Sequence, residues 1–277
     1  MNLSPNPADQ ELNERLKSLG IFGGLLHLES CGSTNDYLKI YAKRIASLNR
    51  QNLPFIVWAN RQTAGRGRGS RQWWTGDGAF AASILLEISK YALSPQTSAH
   101  LSLAVGLAVR QTILWAFSQM INQEKGRSFP KMEIHWPNDI YADGRKIAGI
   151  LIEAPTAKHL VVGIGVNTNN SVNDAPKEIY DKMISLYDIC GTSIDQRKFL
   201  YELFRNVLNR LDFFPSRLSA IIENTENHLQ NKGKSIKIIT ETEIIEGICR
   251  GVNSDGSLRI QTSCGERAVV SGVLETL

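Results

Sequence analysis

Residues 147–166 read IAGILIEAPTAKHLVVGIGV, and this stretch decides the fold that we expect. Two apolar runs with strand character, Ile147–Glu153 and His159–Val166, are separated only by residues 154–158. A third run, Glu133–Trp136, precedes them across short turns that contain Gly and Asp. Strands joined by such short turns pair antiparallel, because a parallel pair needs a crossover of about a dozen residues or more. The stretch therefore predicts a largely antiparallel sheet and not repeated βαβ units.

Segments around this stretch add helices and further strands. Ser33-Thr34-Asn35-Asp36 is typical of a helix start, with a hydroxyl cap and an acid three residues later. Pro95–Phe117 and Gln196–Asp212 carry apolar residues at helical spacing. Phe55–Trp58 and Ala79–Leu86 are candidate buried strands. The predicted fold class is therefore α+β, with a mixed, largely antiparallel sheet and helices.

The chain divides into three predicted parts. Residues 1–24 form a polar N-terminal extension with room for one short helix. Residues 25–230 carry the α+β pattern, and the composition changes near Asn231–Gly233. Residues 231–277 contain only short strand-like pieces and the hairpin signal Asp-Gly. This last part predicts a small antiparallel β-barrel.

Composition and charge exclude several classes of protein. Among 277 residues, 42% are hydrophobic, and 31 basic against 27 acidic side chains leave a net charge of +4. So small an excess does not establish a nucleic-acid binder. The apolar runs are shorter than the roughly 18–20 residues of a membrane span, and the first residues lack the apolar core of a secretory signal. The 4 cysteines form no CxxC pair, so we expect a cytoplasmic protein outside the membrane.

The segment QTAGRGRGSRQWW, residues 62–74, is the first candidate for chemistry. Glycines let the backbone approach a ligand and direct N–H groups toward it, and arginines bring forked donors for phosphate or carboxylate oxygens. An exposed basic turn that binds RNA is the alternative, and it would be favoured for a generic Arg-Gly stretch. The position between two core strands argues for a ligand site instead.

Two other segments bring polar groups close to this sheet. Asp139 and Lys146 face each other across a predicted hairpin, where they could bind a metal or a phosphate or pair with each other. A plain hairpin with a surface ion pair, which contributes little stability, explains the spacing equally well. Gly163-Ile164-Gly165-Val166-Asn167 leaves room for a flat ligand, but alone it favours an ordinary packed strand.

Several common catalytic motifs are absent from the sequence. Gly233-Lys234-Ser235 imitates the end of a P-loop, but His228 stands where its first glycine is required. The sequence contains neither HExxH nor the GxSxG of a hydrolase elbow. Cys31 could act as a nucleophile only with a basic partner, and the sequence indicates none.

Taken in order along the chain, the motifs resemble the biotin–protein ligase family over about residues 25–277. The similar elements are Ser33-Thr34-Asn35 (family STN), Gln62 to Trp73 (Q-T-x-G-R-G-R…R-x-W), His135 to Asp139 (K-W-P-N-D), Lys146 to Glu153 (R-K-x-A-G-I-L-x-E) and Gly163 to Asn167 (G-x-G-x-N). Two positions depart from the family: Gly69 replaces one loop cation, and His135 replaces a lysine. A neutral histidine puts any phosphate contact at that position in doubt.

This resemblance implies a fold and an activity. The fold would be similar to class II aminoacyl-tRNA synthetase catalytic domains, followed by an SH3-like β-barrel. The activity would use ATP and Mg²⁺ to convert biotin to biotinyl-5′-AMP, and would transfer biotin to a lysine of the biotin carboxyl carrier protein of acetyl-CoA carboxylase or a related carboxylase. Because the family-like body begins near Leu25, we expect no winged-helix DNA-binding domain and no repressor role. A homodimer through the sheet edge is common in the family.

The resemblance also implies roles for individual residues. Residues matching catalytic positions are Lys146, Arg68 and Asp139, the last as the group that helps the incoming lysine lose its proton. Residues matching biotin-binding positions are Ser33, Thr34, Asn35, Gln62, Arg66, Gly67, Arg68, Lys146, Gly149, Gly163 and Gly165. Residues matching nucleotide-binding positions are Arg66, Arg68, Arg71, Trp73, Asn138, Lys146 and Asn167. No metal ligand is implied.

Other functions stay open as alternatives. Lipoate–protein ligase, of the same superfamily, is the nearest, but its R-R-x-x-G-G-G-x-V-x-H element is absent. An RNA-binding module is supported only by the basic loop and 5 tryptophans. An interaction scaffold would explain the barrel but not Asp139, Lys146 and Asn167 together.

Overall fold

The computed structural model describes residues 6–45, 53–91, 98–121, 128–214 and 216–277. The helices are α1 Pro7–Lys17, α2 Thr34–Ile45, α3 Ser98–Ile121, α4 Lys177–Tyr180, α5 Leu186–Cys190, α6 Gln196–Asp212 and α7 Leu218–Asn227. The strands of the first sheet are β1 Gly24–Cys31, β2 Phe55–Gln62, β3 Phe80–Glu87, β4 Met132–His135, β5 Asp139–Ala142, β6 Arg145–Thr156 and β7 His159–Val166. Those of the second are β8 Ser235–Ile239, β9 Ile244–Val252, β10 Leu258–Thr262, β11 Gly265–Val269 and β12 Val273–Thr276.

The first sheet has seven strands in the order β1-β2-β3-β7-β6-β5-β4. Strands β1 and β2 pair parallel, and the other neighbours pair antiparallel. The one parallel pair is the pair whose connection contains a helix, α2, as crossover geometry requires. The predicted mixed, largely antiparallel sheet and the α+β class are confirmed.

Helices cover both faces of this sheet. On one face, Leu38 and Ala42 of α2 pack with Val57, Leu85 and Val161. On the other face α3 contacts β4, β5 and β6 and packs against α6 and α7. Helix α3 is long and apolar enough to cross a membrane, but 67% of its most apolar 18-residue window is buried within the protein. Helix α3 is therefore the central helix of the core, and residues 95–97 of the helix predicted from Pro95 lie outside the described residues.

The N-terminal helix is part of the folded body. Leu12 and Leu16 of α1 are buried in the main core. Asp9 accepts hydrogen bonds from His27 of β1 (3.0 Å) and Arg197 of α6 (2.9 Å). Residues of the predicted extension thus fasten the edge of the sheet to α6.

The second sheet is antiparallel, in the order β11-β10-β9-β8-β12. The predicted boundary near Asn231 falls between α7 and β8, and β12 was not predicted from the sequence. The hairpin between β9 and β10 docks beneath the turn that joins β4 to β5. There the indole N–H of Trp136 donates to the carbonyl of Gly256 (3.1 Å), and His100 contacts the carbonyl of Ser254 (2.7 Å).

Candidate active site

The floor of the site is set by strand register. Asp139 lies opposite Gly149, Gly149 opposite Gly165, and Gly165 opposite Ala81. Residues that lie opposite each other on paired strands share a face, so these four form one row across β5, β6, β7 and β3. Because the row consists mainly of small residues, it leaves a depression in the sheet next to the N-terminal end of α2.

Side chains of the chain itself lie against the floor glycines. A Cβ added to Gly165 would come within 2.4 Å of the Trp73 ring, and one added to Gly149 within 3.3 Å of the same ring. A Cβ added to Gly163 would come within 2.1 Å of Asn35 Oδ1. Gly163 and Gly165 therefore make room for the protein's own side chains, and a side chain at Gly149 would need Trp73 to shift slightly.

A tight backbone loop carries the cations over this floor. The N–H of Gly67 donates to the carbonyl of Arg71 (2.7 Å), and that of Trp73 to the carbonyl of Gly65 (2.9 Å). A Cβ on Gly65 would lie 2.4 Å from the carbonyl oxygen of Trp73, so any larger residue would open the loop. The glycines thus allow a tight turn of the backbone. This turn places Arg66, Arg68 and Arg71 along the cleft.

The arginines of the loop differ in their partners. Arg66 pairs with Glu153 on β6 and with Asp36 on α2, the latter at 2.9 Å. Burial by itself would lower the pKa of Arg66, but hydrogen bonds and charges from both acids raise it. Burial would raise the pKa of Glu153, and hydrogen bonds from Arg66, Lys39 and Asn35 reverse this and lower it. Arg66 is therefore neutralised within the protein.

Arg68 has no acid at ion-pair distance among the described residues. Its guanidinium donates to the amide oxygen of Asn138 (3.3 Å). Burial and the neighbouring charge of Arg71 lower its pKa, and only the charge of Asp139 opposes this. An anion placed beside Arg68 would relieve that destabilised charge.

Lys146 and Asp139 form the ion pair that the hairpin spacing allowed. Lys146 Nζ lies 2.6 Å from Asp139 Oδ2 and 5.6 Å from the centre of the Trp73 ring. Asp139 is buried, and its Oδ1 has no hydrogen-bond partner in the described part of the chain. A buried carboxylate oxygen without a partner is costly and marks a place where a ligand group can bind.

Uncharged polar groups form the opposite end of the cleft. Ser33 precedes α2 and accepts the N–H of Asp36 at 3.5 Å, as the predicted helix start requires. Gln62 Oε1 accepts the backbone N–H of Thr34 (2.8 Å), and Gln62 Nε2 has only a long contact, 3.4 Å, with Thr75. Thr34, Ser83 and Asn35 continue this network into the protein.

The predicted residues converge. Fifteen of the sixteen line one cleft of about 100 Å³, namely Ser33, Thr34, Asn35, Gln62, Arg66, Gly67, Arg68, Arg71, Trp73, Asn138, Asp139, Lys146, Gly149, Gly163 and Gly165. Asn167 lies behind the cleft, where its amide donates to the carbonyl of Lys146 at 3.4 Å. The sequence analysis missed Ser83, Asp36 and Glu153 as site residues, although Glu153 ends the quoted strand motif.

His135 lies outside the cleft. Its ring stacks on Tyr141 with centroids 4.5 Å apart, and Nδ1 contacts Gln230 at 2.6 Å. Burial lowers its pKa, and the hydrogen bond to Gln230 only partly opposes this. His135 therefore connects β4 to the segment before the second sheet and does not face the loop cations.

Comparison with known proteins places the chain in a family. The model of the "Biotin/lipoate A/B protein ligase family" matches residues 28–167, and that of the "Biotin protein ligase C terminal domain" matches residues 233–273. The bifunctional ligase/repressor BirA of Bacillus subtilis is 29% identical over 250 residues, which cover 87% of this chain and 72% of that protein. The biotin--[acetyl-CoA-carboxylase] ligase of Mycobacterium tuberculosis is 27% identical over 97% of this chain and 95% of its own length.

Solved structures share the fold. The biotin protein ligase from Aquifex aeolicus in complex with biotin and ATP superposes with a TM-score of 0.74 and 26% identity, covering 91% of this chain and 99% of that chain. The first family model alone spans just over half of the chain. With its cationic cleft and a C-terminal sheet that matches the second model, the chain belongs to the biotin/lipoate A/B protein ligase family, among the biotin protein ligases.

Proposed function

We propose that this protein is an ATP-dependent biotin–protein ligase. It converts biotin and ATP to biotinyl-5′-adenylate and pyrophosphate, and then transfers biotin to a lysine of a carrier protein with release of AMP. One observation carries the proposal: Arg68, Arg71 and Lys146 line the same cleft as the uncharged groups of Thr34 and Gln62. Such a cleft suits a ligand with a neutral polar ring at one end and a carboxylate at the other.

The first step brings two anions together. A carboxylate oxygen of biotin attacks the α-phosphorus of ATP, and the bond from that phosphorus to the pyrophosphate oxygen breaks. Since the obstacle is electrostatic, positioned cations and backbone donors supply most of the rate. Lys146 is held for this role by Asp139, whose carboxylate lies 2.6 Å from its ammonium. Arg68, unlike Arg66, has no acid at ion-pair distance in the described part of the chain.

Biotin binds along the floor of the cleft in this proposal. Ser33, Thr34 and Gln62 face its ring, while Arg68 and Lys146 hold its carboxylate. Gly67 supplies loop backbone, whereas Gly149, Gly163 and Gly165 form the floor together with the side chains packed on them. Asn35 and Arg66 support these groups from behind, because their polar atoms bind Glu153 and its neighbours.

The nucleotide occupies the cationic end. The Trp73 ring offers a flat surface for the base, and Arg71 and Asn138 lie at the same end of the cleft. Asn167 acts through the backbone of Lys146, to which its side chain donates.

The second step needs a neutral amine. A lysine side chain is mostly protonated at pH 7 and must lose a proton before it attacks the activated carbonyl. Asp139 Oδ1, which has no other partner in the described part of the chain, is the proposed acceptor of that proton. The amine then forms the amide bond, and AMP leaves as the carbonyl–oxygen bond to phosphate breaks.

Several finer points belong to the same proposal. Mg²⁺ would be held mainly by the phosphates of ATP, because Asp139, the carboxylate that lines this cleft, is paired with Lys146. With ATP, the ion supplies neutralisation of the pyrophosphate charge. The carrier is the biotin carboxyl carrier protein of acetyl-CoA carboxylase or a related enzyme. A cytoplasmic location, the absence of a repressor role and a homodimer stay predictions.

One assay tests this function. The purified chain is incubated with ATP, Mg²⁺ and labelled biotin, with and without a carrier domain. We expect pyrophosphate release in both samples and labelled carrier only in the second. Lipoate in place of biotin is the control for the rival activity, and a preference for lipoate would contradict the assignment.

A further inference from the structure

A continuous line of hydrogen bonds leads from the cleft into the protein. Thr34 lines the cleft, and its hydroxyl lies 2.7 Å from that of Ser83, which is completely buried behind it. Ser83 in turn lies 2.6 Å from Asn35 Oδ1. The amide nitrogen of Asn35 reaches Glu153 at 2.9 Å. The line therefore connects a cleft hydroxyl to a carboxylate through two buried groups.

The inner end fixes the direction of these bonds. Asn35 Nδ2 faces two acceptors, the carboxylate of Glu153 and the carbonyl of Leu151 at 3.2 Å. With the amide reversed, an oxygen would face both acceptors, so the orientation of Asn35 is determined. Its Oδ1 can only accept, and Ser83 must donate to it.

The direction of the bond from Ser83 to Asn35 decides the role of the Thr34 hydroxyl. A serine hydroxyl has one proton, and that of Ser83 is used on Asn35. Thr34 must therefore be the donor in its contact with Ser83, or share its proton with Gln62 Oε1 at 3.1 Å. In both cases the proton of Thr34 is used on a group of the protein, so its hydroxyl oxygen remains free to accept a hydrogen bond from a ligand in the cleft.

Gln62, next to Thr34, offers the cleft a hydrogen-bond donor. Gln62 Oε1 is occupied by the backbone N–H of Thr34, so the amide nitrogen is the end of Gln62 that remains lightly used. An acceptor and a donor thus stand side by side at the neutral end of the cleft. This pattern matches a ligand that presents an N–H beside a C=O, as a cyclic urea does.

We infer that Ser83 and Glu153 are positioning residues for specificity. Glu153 orients Asn35, Asn35 fixes the proton of Ser83, and Ser83 thereby holds Thr34 as a hydrogen-bond acceptor for an N–H of the biotin ring. The inference rests on the proposed function. It gives a positioning role to Ser83 and Glu153, neither of which contacts the ligand. It predicts that Ser83 affects biotin binding only through Thr34.

A double-mutant cycle tests this coupling. The variants are Ser83→Ala, Thr34→Val and the double variant, with KM for biotin and for ATP measured from pyrophosphate release. Losing one oriented hydrogen bond should raise KM for biotin about 5- to 10-fold in Ser83→Ala, with KM for ATP changed less than about twofold. In the Thr34→Val background, Ser83→Ala should add less than about twofold.

Two further variants separate positioning from simple loss of stability. Thr225→Val removes a buried hydroxyl from α7 and should leave both KM values unchanged. Ser83→Cys keeps the size and a weak donor, and serves if Ser83→Ala does not fold. An unchanged KM for biotin in the Ser83 variant, or fully additive effects in the cycle, overturns the inference. Absence of pyrophosphate release from wild-type protein would instead overturn the proposed function.

Discussion

The two ends of the cleft are built on different principles. At the neutral end, Thr34, Ser83 and Asn35 are buried and joined by bonds whose direction is determined. At the cationic end, Arg68 lacks an ion-pair partner in the described part of the chain, and Asp139 Oδ1 lacks a hydrogen bond. At the neutral end the orientation of the groups is therefore set before the ligand arrives, whereas at the cationic end charged groups wait for a partner that the ligand can supply.

This difference separates recognition from reaction. A satisfied network holds one pattern of donors and acceptors, and so it can select a ligand by its hydrogen bonds. Incompletely paired charges lie where negative charge must accumulate, and they interact most strongly with the transition state. Changes at the cationic end should therefore affect rate, and changes at the neutral end should affect biotin affinity.

The largest effect is expected for Lys146→Ala, because it removes the cation at the meeting point of the two anions. Pyrophosphate release should fall about 10²- to 10³-fold. The variant should still fold, as circular dichroism would show, but with a lower thermal unfolding midpoint, because the buried Asp139 loses its ion-pair partner. Lys158→Ala, in the turn between β6 and β7 at the opposite end of β6, is the matched control and should retain full activity. A Lys146→Ala enzyme with undiminished pyrophosphate release would remove the assigned role and with it the contrast between the two ends.

A smaller effect is expected for Arg68→Gly, because we expect the loop that carries Arg68 to act as a lid that retains the activated intermediate in the cleft. Some adenylate formation should remain, but biotinyl-adenylate should escape into solution about 10- to 100-fold faster, as expected for the loss of one charge-assisted contact. Escape is measured as adenylate separated from the enzyme by rapid filtration. Arg217→Gly, at the start of α7 where glycine is tolerated, is the control; escape equal to wild type in Arg68→Gly would refute the role of a lid.

The smallest effect concerns stability and not rate. The pKa of Glu153 is lowered in the folded protein, so its ion pairs stabilise the fold above the ordinary pKa of 4.5, and this stabilisation is lost as the pH falls through the folded-state value. Glu153→Gln keeps an acceptor for Asn35 but cannot titrate. Urea unfolding at pH 7 and pH 4 should therefore show a smaller acid-induced loss of stability in the variant than in wild type. Equal losses would mean that Arg66 and Lys39 do not stabilise the charged form of Glu153.

Much of the fold was readable from local patterns. The apolar runs Ile147–Glu153 and His159–Val166, with their short connection, predicted antiparallel strands, and Gln196–Asp212 agrees with α6 at both ends. The strands β5 and β12, of four residues each, were not predicted; β4 is equally short, but Glu133–Trp136 was recognised as a strand. The site residues were found because five motifs occur in the order of a known family.

Residue type and spacing along the chain were sufficient to predict a largely antiparallel sheet, the cationic loop and the family. The folded contacts, by contrast, were needed to show that Arg66 is neutralised by Glu153 and Asp36, that Asn167 supports Lys146 from behind, and that Ser83 orients Thr34. The physical reason is that these contacts join residues 21 to 87 positions apart. Strand register and the packing of α2 bring such residues together, and no local pattern encodes either of them.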